Sequence, residues 1–164
     1  MLDPKIENEL KKAFRQNVLI YITMIGSMFV YAGVVEFLKR NTPQTGKVID
    51  LSGSDANMFR NVLLVVAVLE YFIIHFIRNK SLSSKIKLVP VSGTKSPFSP
   101  PVRAILSVSI MTYGLCYTGV VYGFILFFLS HVTVNFYIFM VISLIFFALF
   151  RPQYSQWEGW MESR

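Results

Sequence analysis

The sequence predicts an all-α membrane protein, a four-transmembrane-helix bundle built from two tandem helical hairpins with short interfacial helices at both termini. Three observations carry this. First, the 164 residues are 54% hydrophobic with a mean hydropathy of +0.52, more apolar than a soluble domain of this size. Second, the charged residues, 15% of the chain, sit in blocks between apolar runs. Third, Arg60 to Arg78 is an apolar run bracketed by arginines. At ~1.5 Å rise per residue, Asn61 to Ile77 covers about 25 Å, close to the ~30 Å hydrocarbon thickness of a bilayer.

In chain order, residues 1–16 predict an interfacial helix. Asp3 can cap it, Pro4 suits the first helical position, and Ile6, Leu10, Ala13 and Phe14 share one face. The first span covers 17–38 and ends at Glu36, placed to pair with Lys39 and Arg40 one turn on. A polar loop rich in turn formers comes next, with Ser54 or Asp55 as N-cap candidates for the second span, 61–77. The basic linker, 79–101, closes on Ser96-Pro97-Phe98-Ser99-Pro100-Pro101, which stops one helix and starts another. The third span covers 102–129. A short turn at Ser130 to Thr133 leads to the fourth, 134–150, ended by Arg151-Pro152. The tail, 151–164, carries Tyr154, Trp157 and Trp160 at threefold spacing, an aromatic belt in which Trp157 and Trp160 join Arg78 and Arg151 as interface anchors.

The net charge of +7 raises the question of nucleic acid. The basic residues flank the spans, as topology signals do, so no nucleic-acid partner is expected. Four, six and two Lys/Arg lie at the N-terminus, middle linker and C-terminus, against four on the opposite side. That asymmetry places both termini in the cytoplasm, with the chain integral to the cell (inner) membrane. The lone Cys116 rules out an intrachain disulfide framework and any Cys-based metal spacing.

An internal repeat supports the tandem hairpins. Tyr31-Ala32-Gly33-Val34-Val35 in the first span recurs as Tyr117-Thr118-Gly119-Val120-Val121 in the third. Gly33, Gly114, Gly119 and Gly123 are the candidate close-packing positions between helices, within the bundle or at a seam between copies.

Chemistry concentrates at mid-depth. Glu70 lies near the midplane of the second span, where an acid is costly unless protonated, paired or wet. Tyr117 and Ser143 fall at a similar level and are the candidate partners of an ion-binding site with it. Burial disfavours the charged carboxylate, so Glu70 is expected to be protonated at rest. It serves either as a packing hydrogen bond between helices or as a proton-exchange site. His75 and His131 suggest a haem, yet they fall at opposite ends of the spans, more than ~20 Å apart, so one haem in one chain cannot use both. No nucleophile–base pairing, phosphate loop or metal cluster is present, so neither enzyme activity nor a cofactor or metal is expected.

The stretch Gly114-Leu115-Cys116-Tyr117-Thr118-Gly119-Val120-Val121-Tyr122-Gly123-Phe124-Ile125-Leu126 resembles the carboxylate helix of rotary ATPase proteolipids (subunit c). In that family Tyr-Gly often follows the acid by five and six residues, as Tyr122-Gly123 follow position 117. The resemblance implies a hairpin build and handling of a proton or cation by a buried carboxyl. Tyr117 occupies the acid position, the first span lacks the run of glycines, and the cytoplasmic termini are opposite to the usual bacterial arrangement. The chain is therefore similar to a proteolipid-like bacterial membrane family rather than to a working rotor subunit; the resemblance implies Glu70 as the candidate surviving carboxyl, although it lies on the other helix of its hairpin. The function expected is non-enzymatic: a structural, accessory or assembly subunit whose partners are the lipid bilayer and other membrane subunits or further copies of itself. The alternative is a proteolipid-like protein handling protons or cations at Glu70, and a haem- or quinone-associated anchor is a third possibility.

Overall fold

The computed structural model describes residues 3–41, 53–83 and 98–162, and among them the regular elements are all helices. They are α1 (Pro4–Asn41), α2 (Gly53–Ser83), α3 (Pro100–Ser130), α4 (Thr133–Leu149) and α5 (Tyr154–Glu162). The polar loop at 42–52 and the basic linker at 84–97 lie outside the described residues.

Asp3 caps α1 as expected: its Oδ1 accepts the Lys5 N–H at 2.9 Å, and Pro4 opens the helix. From there the chain runs to Asn41 as one helix, not an interfacial helix plus a span. Between Lys5 and Ile25 there is neither glycine nor proline to break the hydrogen-bond ladder. α2 begins earlier than expected, so Ser54 and Asp55 sit in its first turn rather than capping it. At α3, Ser99 is the N-cap and Pro100-Pro101 take the first two positions, where a missing N–H costs nothing. His131 ends α3 in the left-handed conformation (φ 54°), its N–H donating to the Phe127 carbonyl at 2.8 Å. Only His131 and Val132 then separate α3 from α4.

By length and composition α1, α2 and α3 could each cross a membrane; α4 passes the same test only together with α5, across a 51° bend. Of their apolar windows, 39% of α3 is buried against 11% for α1 and 17% for α2, which makes α3 the centre of the bundle. α3 and α4 form a packed hairpin, while α1 and α2 each take α3 as principal neighbour rather than one another. The tandem-hairpin expectation thus holds for the second half and is corrected in the first. Tyr113, Cys116 and Val120 of α3 meet Met28 and Val35 of α1, Ile74 of α2, and Phe136, Met140 and Phe147 of α4 in one core.

The outward face is apolar as well. Phe29, Val30 and Phe37 of α1, Val65, Phe72 and Phe76 of α2, and Val141 and Ile145 of α4 are all exposed. A continuous apolar surface of this kind is rare on soluble monomers.

The terminal segments correct another expectation. Leu10 and Ala13 are fully buried with Val102, Ile105, Trp157 and Met161. The Phe14 ring meets Tyr154 and Trp157 edge-on at 5.4 and 5.5 Å. The start of α1 and the inner face of α5 therefore pack on α3 and on each other rather than standing apart from the bundle. Trp157, expected in the aromatic belt, is 2% exposed and packs in this core.

Candidate functional site

Three positions on α2, Ala67, Glu70 and Ile74, are buried at helical spacing and form the narrow stripe that faces the bundle. Glu70 is the polar member. Across from it, Thr118 and Tyr122 lie one turn apart on the same face of α3. Tyr122 donates its hydroxyl to Glu70 Oε1 at 2.6 Å, and Thr118 Oγ1 stands 2.8 Å from Oε2. The two oxygens of one carboxyl are thus held by two hydroxyls.

The hydrogens can be counted. Thr118 Oγ1 also lies 2.6 Å from the Leu115 carbonyl, and its single hydrogen cannot serve both acceptors. If Glu70 is protonated at Oε2, it donates to Thr118, Thr118 donates to Leu115, and Tyr122 donates to Oε1. Every short contact then carries one hydrogen. If Glu70 is ionised, Thr118 must choose between its two acceptors. The geometry therefore accommodates a neutral carboxyl with all partners satisfied.

Neither expected partner of Glu70 is the one that holds it. The Tyr117 hydroxyl instead lies within hydrogen-bond distance of Ser27 Oγ on α1, at 3.0 Å, and its ring meets Tyr31 edge-on at 6.2 Å. One residue along a helix turns the side chain by about 100°, so Tyr117 faces α1 where Thr118 faces α2. Ser143 is fully buried on α4 against Gly119, its hydroxyl without a hydrogen-bond partner among the described residues. In the sequence Thr118 is marked only by its place in the repeated Tyr117-Thr118-Gly119 stretch, and Tyr122 only as half of Tyr-Gly.

The four glycines separate into two pairs. A Cβ on Gly119 would strike Ser143 Oγ, and one on Gly123 would lie 2.9 Å from the Phe136 carbonyl oxygen. These two permit the close approach of α3 and α4. A Cβ on Gly33 or Gly114 would meet nothing within 4 Å, so neither packs against another helix. The repeat-matched Gly33 and Gly119 are therefore not equivalent in three dimensions.

Arg78 and Arg151, expected as separate anchors, line one cleft with Tyr113, Gln156 and Trp160. The cleft lies where α1 and α3 begin and α2 and α4 end. His75 is exposed and stacks on Tyr71 (6.4 Å between centroids), whereas His131 caps α3 at the opposite end. Among the described residues no three His, Cys, Asp or Glu gather as metal ligands. Compared with known proteins, the chain matches no family model, no curated protein and no solved structure.

Proposed function

We propose that this chain is a non-enzymatic integral membrane protein acting as a structural, accessory or assembly subunit of a larger membrane complex. In this reading α4 is the fourth span, and both termini lie on the cytoplasmic side of the cell (inner) membrane. The single observation that carries it is the engagement of Glu70 by Thr118 and Tyr122. With both oxygens occupied by neighbouring hydroxyls, the carboxyl acts as an interhelical contact that fixes α2 on α3. α2 buries little else, and its remaining apolar surface is free for lipid or for a neighbouring subunit.

Gentle detergent extraction followed by native mass measurement tests this. A heteromeric complex, or a defined self-assembly that Glu70→Leu weakens and Glu70→Gln preserves, is the expected result. A lone monomer, or assembly indifferent to both substitutions, would overturn it.

A second reading, proton or cation handling at Glu70, is favoured by the same hydrogen count, which accommodates a protonated carboxyl. It predicts specific carbodiimide labelling of Glu70 and complete loss of ion movement in Glu70→Gln with the fold intact. Absence of labelling at mildly acidic pH argues against it.

A further inference from the structure

The cleft lined by Arg78 and Arg151 is rich in donors and contains no acid. No Asp or Glu lines it, and among the described residues neither arginine is paired with a carboxylate. Arg78 is held rather than free to wander: it donates to Gln156 Oε1 at 2.8 Å, and its guanidinium lies over the Phe150 ring at 5.3 Å and the Trp160 ring at 5.9 Å. Gln156 in turn donates to Gln153 Oε1 at 2.7 Å. At the floor, the buried Tyr113 hydroxyl accepts from Asn17 at 2.9 Å, which leaves its own hydrogen to be given away. α4, which Phe150 caps, and α2, which carries Arg78, expose apolar residues on their outer faces, Leu149 and Phe76. Cationic donors at one end of helices long and apolar enough to cross a membrane match a phosphate carried on acyl chains.

We propose that this cleft binds the phosphate of an anionic phospholipid headgroup, with Arg78 and Arg151 on its oxygens and the acyl chains along the exposed apolar faces of α2 and α4. The proposal rests on reading the chain as a membrane protein with cytoplasmic termini. The Lys/Arg count puts this end at the cytoplasmic leaflet, where anionic lipid and basic side chains meet.

The test uses the full chain in mild detergent with three separate additions: phosphatidylglycerol, phosphatidylcholine and inorganic phosphate. Native mass spectra report retained lipid, and thermal melts report protection. Phosphatidylglycerol should be retained in preference to phosphatidylcholine, by about fivefold for each arginine engaged. Arg151→Gln should lower that preference, and adding Arg78→Gln should abolish it. Because Arg151 is exposed, its single substitution keeps the test valid if Arg78→Gln disturbs packing. Equal retention of both lipids, or a preference unchanged in Arg151→Gln, overturns the proposal. Inorganic phosphate protecting as well as phosphatidylglycerol would instead assign the cleft to a soluble anion, and the lipid assignment would fall. Membrane flotation of the wild type distinguishes the two failures: a chain that floats without lipid preference refutes only this inference, whereas one that does not float refutes the membrane reading itself.

Discussion

The Tyr122 hydroxyl on α3 lies 2.6 Å from Oε1 of Glu70 on α2, with Thr118 one turn away on the other carboxyl oxygen. Glu70→Gln retains an acceptor for Tyr122 and should leave thermal stability in detergent nearly unchanged. Glu70→Leu leaves the half-buried Tyr122 hydroxyl without its acceptor and should cost about 1–3 kcal/mol. A Leu variant as stable as the Gln variant would remove this contact from the account.

The two glycine pairs should respond to substitution in opposite ways, the pair at the α3–α4 contact against Gly33 of α1 and Gly114 of α3. Gly123→Ala forces a methyl against the Phe136 backbone, which cannot rotate away, and should destabilise by about 1–3 kcal/mol. Gly119→Ala meets a side-chain hydroxyl instead, so adding Ser143→Ala should restore most of the loss. Gly33→Ala and Gly114→Ala meet open space and should be neutral or stabilising, by up to about 1 kcal/mol from helix propensity alone. Melting temperatures of the five variants check all three statements.

Trp157 distinguishes a core from a belt. Buried against Phe14, Leu10 and Val102, it should cost about 3–5 kcal/mol when replaced by Ala. An interfacial anchor would lose far less. Melts of Trp157→Ala in detergents of different chain length should show a large drop that does not depend on the detergent.

Acid should loosen the same end. Glu9 Oε2 accepts the Ser99 N–H at 2.8 Å, beside the positive end of α3, and that bond holds its carboxyl below the ordinary range. A depressed carboxyl contributes stability above its unfolded value and loses it as pH falls through its folded value. Hydrogen exchange at Ser99 should therefore accelerate as pH is lowered through the carboxylate range, after correction for the intrinsic rate. In Glu9→Gln that pH dependence should flatten.

The left-handed cap at His131 should prefer glycine. His131→Gly relieves the Cβ penalty at φ 54°, whereas His131→Val adds β-branching there and should destabilise. Thermal melts of the pair should move in opposite directions, with the Val variant melting below wild type.

Hydropathy and breaker residues placed the helices well. The expected spans at 102–129 and 134–150 lie within about two residues of α3 and α4, because Pro100-Pro101 and Arg151-Pro152 punctuate the chain locally. The pairing of Glu36 with Lys39 was readable in the same way, as a contact within one turn; the ammonium lies 3.9 Å away. The contribution of Tyr137, whose hydroxyl donates to Glu36 at 2.9 Å from across the bundle, was not.

The sequence by itself determined that the chain is helical, where α3 and α4 begin and end, and that a single acid sits midway along α2. Those properties depend on neighbours within a few residues. Only the tertiary structure decided which hydroxyls hold Glu70, which glycines lie between helices, and that α1 and α2 both settle on α3. Each depends on how a helix is rotated about its axis, and the outward faces here are as apolar as the inward ones. With no polar stripe to mark the outside, hydrophobic periodicity cannot fix that rotation; close packing of Gly119 and Gly123 against α4, and of Thr118 and Tyr122 against α2, does.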